Sequence, residues 1–198
     1  MQAHAMFAGT EPPPAAGDLA TDPVSELIAA GQHREAIAAC ARTHHKVLGR
    51  LAMALVGSQA DADEVVQETL LRAHRAMTTY RGEGSVKAWL CGIARHVCAH
   101  VLETRKRGAN LGDALELAIV PGDGASRDAF ELRRRARALR TALDQLKPSE
   151  REALVLRYVA DLSHREIAVA CGIDEAAARK RISRALARMR SVLPAEEI

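Results

Sequence analysis

The sequence predicts an all-α protein made of two small helical domains joined by a flexible linker. Apolar residues recur at the three-to-four-residue spacing of amphipathic helices, and no segment keeps the period of two that strands require. Only 3% of the residues are aromatic, whereas aliphatic residues are plentiful, which suits helices that pack through aliphatic faces. Glycine and proline are concentrated in a few places, where they mark the ends of helical segments.

The first domain is predicted over residues 23–107, after a disordered tail at 1–22 that has little to pack. Asp22-Pro23 provides a helix cap followed by proline at the first helical position, and Gly31 ends that short helix. Further helices are predicted at about 34–56, 60–78 and 86–106, separated by Gly57-Ser58 and by the loop Tyr80–Ser85. In the third helix the side chains expected to face inward are Val65, Val66, Leu70 and Leu71.

The linker is predicted at residues 108–130, which contain several glycines and Pro121 and lack sustained periodicity. The second domain is expected over 131–198. Its helices are predicted at about 129–146, 149–160, 163–170 and 174–192.

Charge is distributed unevenly along the chain, although the total is only +3. The net charge is −5 over residues 1–69, +6 over 70–107, −3 over 108–130 and +5 over 131–198. Two basic blocks separated by an acidic stretch suggest two surfaces for a polyanion such as nucleic acid. Ordinary solvated helix faces would give the same pattern, so charge alone leaves both interpretations open.

Several classes of protein are disfavoured by what the sequence contains. No apolar run approaches the roughly 18 residues of a membrane span, and no signal peptide is recognisable, so a cytoplasmic protein without membrane insertion is expected. The acidic and histidine residues form no metal or triad pattern, and no phosphate loop occurs. We therefore expect no enzyme activity, no cofactor, no catalytic residue and no metal site.

The cysteines do not form a CxxC pair and are expected to be reduced and mostly buried. Cys91 and Cys98 are close in sequence to His96 and His100, which leaves a metal-sensing or redox role open. The four cysteines are Cys40, Cys91, Cys98 and Cys171.

The sharpest motif lies near the C-terminus. Ser163 stands at a helix N-cap position, and Glu166 three residues later completes a capping box. Gly172 allows a tight turn, and Asp174 caps the helix that follows. A short helix, a glycine turn and a basic second helix predict a DNA-binding helix-turn-helix, whereas an α-hairpin with a solvated basic face is the alternative. The cations of the second helix are Arg179, Lys180, Arg181, Arg184, Arg188 and Arg190.

Segments in both halves resemble the sigma-70 family of RNA polymerase sigma factors, in particular its extracytoplasmic-function (ECF) group. The resemblance covers about residues 24–107, as region 2 of the family, and 131–192, as region 4. It implies two helical domains, binding of core RNA polymerase, promoter recognition and control by an anti-sigma factor. The segments that carry it are 61–73, 80–90, 93–97, 146–153 and 162–184, which begin DADEVVQETLLRA, YRGEGSVKAWL, IARHV, LKPSEREA and LSHREIA.

The resemblance implies a role for three groups of residues. An acidic group, which the sequence predicts to be unpaired, would dock on the clamp helices of the polymerase β′ subunit. The polymerase β subunit is a further implied partner. The loop Tyr80–Ser85 and the helix after it would recognise and melt the −10 element. Tyr80 and Arg81 would stack on its bases. The docking residues are Asp61, Asp63, Glu64, Gln67 and Glu68. The −10 residues are Tyr80, Arg81, Gly82, Glu83, Gly84, Ser85, Arg95, His96, Arg105, Lys106 and Arg107. The −35 residues are Arg179, Lys180, Arg181, Ser183 and Arg184.

The sequence departs from the family pattern at three places. His74 stands where Trp is usual, His96 where Asn is common, and Ala177-Ala178 where Thr-Val is usual. His96 puts the base preference at the −10 element in doubt. Two alternatives stay open: a two-domain DNA-binding regulator that never contacts polymerase, and a sigma mimic that titrates an anti-sigma factor.

Overall fold

The computed structural model describes residues 22–109 and 138–192, and every regular element within these two stretches is a helix. In chain order they are α1 (Pro23–Ala29), α2 (His33–Val56), α3 (Gln59–Ala76), a 3-10 turn (Met77–Thr79), α4 (Val86–Ala109), the described part of α5 (residues 138–144), α6 (Pro148–Tyr158), α7 (His164–Cys171) and α8 (Glu175–Val192).

Local sequence determines where the N-terminal helices begin and end. The Asp22 carboxylate accepts a hydrogen bond from the Val24 amide at 3.0 Å, with Pro23 at the first helical position. Gly57 adopts a left-handed conformation (φ +76°) and ends α2. The Ser58 side chain then caps α3.

Helices α2, α3 and α4 pack on one another around an aliphatic core. Leu48 and Leu51 of α2, Val65 of α3 and Leu90 of α4 are all fully buried. Each such side chain stabilises the fold by about 1.5–3 kcal/mol relative to exposure. This bundle gives firm support to α3, which carries the predicted docking residues, and to α4, which carries five of the predicted −10 residues.

Helices α7 and α8 form the predicted helix-turn-helix. The Ser163 hydroxyl accepts from the Glu166 amide at 3.2 Å, and the Glu166 carboxylate accepts from the Ser163 amide at 2.8 Å, which confirms the capping box. Gly172 has φ +64° at the turn. The Asp174 carboxylate accepts from the Ala177 amide at 2.7 Å and caps α8 as predicted.

The two domains are in direct contact. Helix α4 packs against α7, and α2 packs against α6. Buried residues of both domains belong to one continuous apolar cluster. In this arrangement the second domain lies against the face of the first that carries the N-terminal half of α4.

The all-α fold class is confirmed, and the helix boundaries that fall on described residues lie within a few residues of those predicted; the predicted start of the 129–146 helix lies outside the described residues. Leu71 was expected to face inward, but its exposed fraction is 52%. The buried stripe of α3 consists of Ala62, Val65, Val66, Thr69 and Ala73, and Leu71 projects away from it. Most of the predicted tail at 1–22 and of the linker at 108–130 lies outside the described residues.

Candidate nucleic-acid interface

The outer face of α3 carries the predicted docking residues. Asp63, Glu64 and Gln67 are exposed, and the Asp63 carboxylate accepts a hydrogen bond from the Gln59 side chain at 2.8 Å. These three side chains are called the docking face below. Two carboxylates so close together on a solvated surface are suited to a basic partner.

The expectation that the acidic group is unpaired is wrong for two of its members. Asp61 forms an ion pair with Arg105 of α4, and Arg105 also donates to the Val56 carbonyl at 2.9 Å. Glu68 pairs with Arg72 one turn along the same helix, at 2.6 Å. Arg105 is thus engaged within the first domain, although it was predicted to contact DNA phosphates.

The loop between the 3-10 turn and α4, residues 80–85, is called the melting loop. The Tyr80 hydroxyl donates to the Gly84 carbonyl at 2.7 Å, and the Tyr80 ring packs on Trp89 with centroids 5.1 Å apart. The Tyr80 ring therefore supports the loop instead of standing free as a stacking platform. Gly82 has φ +70°, a conformation that favours glycine, and turns the chain outward.

Two charged side chains project from the melting loop. Arg81 and Glu83 have 82% and 68% of their side-chain area exposed, and their charged groups are 3.9 Å apart. An ion pair this exposed contributes little to stability. Both side chains are thus available to a ligand.

Helix α4 contributes the remaining predicted −10 residues. His96 is exposed, and its Nε2 lies 3.1 Å from the Arg95 guanidinium. Partial burial and the charge of Arg95 lower the pKa of His96 below 6.5, so the imidazole is neutral at pH 7. Lys106 and Arg107 are exposed in the last turns of α4.

Helix α8 presents its basic side to solvent. Lys180, Ser183 and Arg184 are exposed and lie on one side of the helix; they are called the reading face below. Arg179 is ion-paired with Glu175 in the first turn, and Arg181 is half-buried. The opposite side of the helix is fixed by the buried residues Ala178, Ile182, Ala185 and Met189.

A set of contacts between the domains was not predicted from the sequence. Arg95 donates to the Ala170 carbonyl at 2.9 Å and lies 3.3 Å from the Glu152 carboxylate. Gly92 could have signalled this contact, since glycine inside a helix costs about 1 kcal/mol relative to alanine and calls for a reason. A Cβ at Gly92 would lie 3.2 Å from the Ala170 carbonyl oxygen.

Three of the four cysteines, Cys40, Cys91 and Cys98, are buried and have the properties of inert core residues, whereas Cys171 is half-buried. Burial raises the pKa of Cys40 to about 11 and the pKa values of Cys91 and Cys98 to about 12. A thiol with such a pKa is protonated at neutral pH and is a poor nucleophile. Within the described residues, no cluster of three or more potential ligands could hold a metal ion. No helix in the same stretches is long and apolar enough to cross a membrane.

These features define a class: an all-helical, two-domain protein whose second domain is a DNA-binding helix-turn-helix. Residues 40–108 match sigma-70 region 2, and residues 136–189 match sigma-70 region 4. The chain belongs to the sigma-70 family of RNA polymerase sigma factors, and its relatives place it in the ECF group.

Two curated relatives illustrate the similarity. The chain is 32% identical to the ECF RNA polymerase sigma factor SigC of Mycobacterium tuberculosis (strain CDC 1551 / Oshkosh), over 67% of this chain and 70% of the relative. It is 31% identical to the ECF RNA polymerase sigma factor EcfG of Rhodopseudomonas palustris (strain TIE-1), over 74% of this chain and 78% of the relative.

Two solved structures share the fold. The sigma factor RpoE of Bartonella quintana, in complex with the anti-sigma factor NepR, has a TM-score of 0.55 at 27% identity, covering 73% of this chain and 88% of that one. CnrH, in complex with the cytosolic domain of CnrY, has a TM-score of 0.62 at 24% identity, covering 85% and 96%.

Proposed function

We propose that this chain is an ECF-type sigma factor that binds core RNA polymerase in the cytoplasm and directs promoter-specific initiation, without catalysis of its own. The observation that carries the proposal is the reading face. Lys180, Ser183 and Arg184 are exposed on a capped helix whose opposite side is buried in a helix-turn-helix. Such a helix fits the major groove, where arginine and lysine donate to guanine O6 and N7. Its proposed role is recognition of the −35 element.

The docking face is proposed to bind the clamp helices of the β′ subunit, and the β subunit is proposed as a further partner in core polymerase. Asp63 and Glu64 are exposed and acidic, which supports a basic partner. Asp61 and Glu68 belong to the same proposed site, but their existing ion pairs give them a smaller share of it.

The melting loop and α4 are proposed to capture the −10 element. Extruding a base costs a few kcal/mol of stacking, which contacts to the extruded base and to the strand must offset. Arg81 and Glu83 are exposed at the tip of the loop, and the neutral His96 ring can donate or accept according to its tautomer. Ser85, Arg95, Lys106 and Arg107 complete the proposed surface, whereas Arg105 contributes through its pairing with Asp61.

An anti-sigma factor is the proposed regulator. The similarity to RpoE of Bartonella quintana, which was solved with the anti-sigma factor NepR, supports this partner class. The proposal names no particular anti-sigma factor.

Reconstituted transcription tests the proposed function. The protein is added to core polymerase on a library of promoters, and run-off transcripts are sequenced. Transcripts that start at a common promoter motif only when the protein is present are the expected result. Promoter binding without transcripts would instead indicate a DNA-binding regulator, and core or anti-sigma binding without promoter binding would indicate a sigma mimic.

A further inference from the structure

We propose that helix α2 carries a further DNA-binding surface, which contacts the phosphate backbone of duplex DNA without reading its sequence. The surface consists of three exposed cations on the solvent side of the helix, Arg42, Lys46 and Arg50, and is called the basic row below. It is separate from the melting loop and from the reading face. The inference rests on the proposed function, in which the chain acts on promoter DNA.

The basic row has a regular spacing. Its members recur every four residues on α2, so neighbours are about 6 Å apart along the helix axis, and the row turns around the helix by only about 80° in all. The other side of α2, which includes Leu48 and Leu51, is buried in the bundle and fixes the row on the outside. Evenly spaced cations on a rigid helix suit the evenly spaced phosphates of a nucleic-acid backbone.

No carboxylate offsets the charge of the basic row. Residues 1–69 have a net charge of −5, yet residues 36–60 contain no aspartate or glutamate. Within residues 22–109 and 138–192, none of the three cations has an ion-pair partner. Two other arginines of the same domain, Arg72 and Arg105, are paired with carboxylates. The basic row therefore presents its full charge to a ligand.

Gly49 lies within the basic row, and packing gives no reason for a glycine there. A Cβ added at this position would meet no neighbouring atom within 4 Å. Glycine inside a helix is destabilising relative to alanine, so its presence calls for another reason. The missing side chain leaves the helix backbone open to close approach between Lys46 and Arg50. This opening suits a ligand that lies along the helix with a bulky backbone of its own, as DNA does.

The basic row lacks the apolar groups that a protein partner or a membrane would need. Protein interfaces are centred on buried aromatic and apolar side chains, and a helix that binds a membrane surface exposes an apolar face. Within the described residues, none of the large apolar side chains that are exposed is on α2. Those side chains are Leu71, Leu139, Tyr158 and Val169. A charged surface without apolar anchors is typical of sequence-independent contact with phosphates.

The test neutralises the basic row in the full chain and measures how duplex binding depends on salt. The row variant combines Arg42→Gln, Lys46→Gln and Arg50→Gln. A control variant removes the same three charges from scattered exposed positions, by Arg34→Gln, Arg75→Gln and Arg140→Gln. Binding of a labelled random-sequence duplex is followed by fluorescence anisotropy between about 50 mM and about 1 M salt.

The row variant should lose both affinity and salt dependence. Each phosphate contact contributes about 0.9 to the slope of log affinity against log salt concentration. The slope should therefore fall in magnitude by about 2–3, and duplex binding should weaken about 100-fold near 0.15 M salt. The difference from wild type should disappear close to 1 M salt, where counterion release no longer favours binding. The scattered control should keep a slope within about 1 of wild type.

Two single variants test the centre of the basic row without removing a cation. Gly49→Glu and Gly49→Gln add side chains of nearly equal size into open space, but only glutamate adds a negative charge. Gly49→Glu should weaken duplex binding about tenfold more than Gly49→Gln, because its carboxylate repels phosphates and offsets a neighbouring cation. Circular dichroism and thermal melting check that both variants keep the fold.

The outcomes that contradict the inference are distinct. A wild-type slope in the row variant, or an equal loss in the scattered control, would show that the basic row does not contact DNA. Loss of core polymerase affinity at unchanged duplex affinity would assign the row to a protein partner instead. Absence of duplex binding by the wild-type chain at about 50 mM salt would also overturn the inference. Failure of the proposed function would appear separately, as the absence of promoter-specific run-off transcripts.

Discussion

Asp61 of α3 is ion-paired with Arg105 of α4, and this pair divides the acidic side of α3 into two parts. Asp61 ties two helices of the bundle together, because Arg105 also donates to the last carbonyl of α2, at Val56. Asp63 and Glu64, one turn along, face solvent. Asp61 thus stabilises the bundle, whereas Asp63 and Glu64 are available to a partner.

The first prediction distinguishes the effect of these carboxylates on core polymerase binding from their effect on stability. Asp63→Lys with Glu64→Lys should weaken core polymerase binding, since it reverses the charge of the docking face, and should leave the free energy of unfolding close to wild type. Asp61→Asn should lower the free energy of unfolding by about 1 kcal/mol, the upper range for a partly exposed ion pair, and should weaken core binding less than the double variant does. Urea denaturation and a core-binding titration measure the two effects. Unchanged core affinity in the double variant would show that the docking face does not bind core polymerase.

The second prediction concerns the reading face. Arg184→Ala should weaken binding to a −35 duplex by about 1–3 kcal/mol and relax the preference at one or two base pairs, because it removes a donor to a base edge. Arg179→Ala should weaken binding evenly on all sequences, since Arg179 already pairs with Glu175 near the helix start and suits a phosphate contact. Selected-site sequencing distinguishes the two patterns. If Arg184→Ala instead weakens binding equally on all sequences, Arg184 also contacts phosphates and not a base edge.

Helix boundaries were predictable because they depend on neighbouring residues. The Ser163–Glu166 capping box, the left-handed Gly172 and the Asp174 cap are encoded within a few positions, and each is present in the structure. The exposure of Leu71 could also have been predicted from the periodicity of α3. The buried positions recur every three or four residues, and Leu71 does not belong to that series.

The ion pairs between helices and the close contact of α4 with α7 were not predictable in the same way. The pairing of Asp61 with Arg105, and of Arg95 with Glu152, depends on how helices far apart in sequence cross. A basic residue on a predicted helix is equally consistent with a phosphate contact and with a pair inside the protein. Gly92 carried the one local signal of a close helix approach, and even that signal does not name Ala170 as the partner.

The third prediction concerns the melting loop. Arg81→Ala with Glu83→Ala should abolish strand opening on promoter DNA, as seen by permanganate footprinting, while core binding and −35 binding persist. The fold should survive, because both side chains are exposed and their 3.9 Å ion pair contributes little. Arg34→Ala with Glu35→Ala, which removes the same charges from exposed positions on α2, is the matched control.

A variant of Tyr80 distinguishes support of the melting loop from direct contact with a base. Tyr80→Phe keeps the ring on Trp89 but removes the hydroxyl that donates to the Gly84 carbonyl, a loss of about 1 kcal/mol of loop stability. Strand opening by this variant should be reduced but not abolished. For the preceding prediction, normal strand opening by the Arg81 and Glu83 double variant would contradict the proposed role of the melting loop in capturing the −10 element.

The last prediction is a pH dependence centred on Glu166. Burial alone would raise the pKa of this carboxyl, but hydrogen bonds from Ser85 and Ser163 and the charge of Lys87 outweigh it and lower the pKa below the ordinary 4.5. A carboxyl whose pKa is lower in the folded protein stabilises it fully above pH 4.5, and the contribution is lost as the pH falls through the lowered pKa. Two of the three groups that lower the pKa, Ser85 and Lys87, belong to the first domain, whereas Glu166 belongs to the second.

Glu166→Gln tests this dependence, because glutamine also completes a capping box but carries no charge. Its melting temperature should lie below that of wild type near neutral pH, and the gap should close as the pH is lowered from about 6 to about 3. Lys87→Met removes the first-domain cation that acts on Glu166 and should reduce the pH-dependent part of the gap while leaving the capping box intact. A gap that stays constant over this range would mean that the charge of Glu166 does not stabilise the folded protein, and that the variant acts through packing alone.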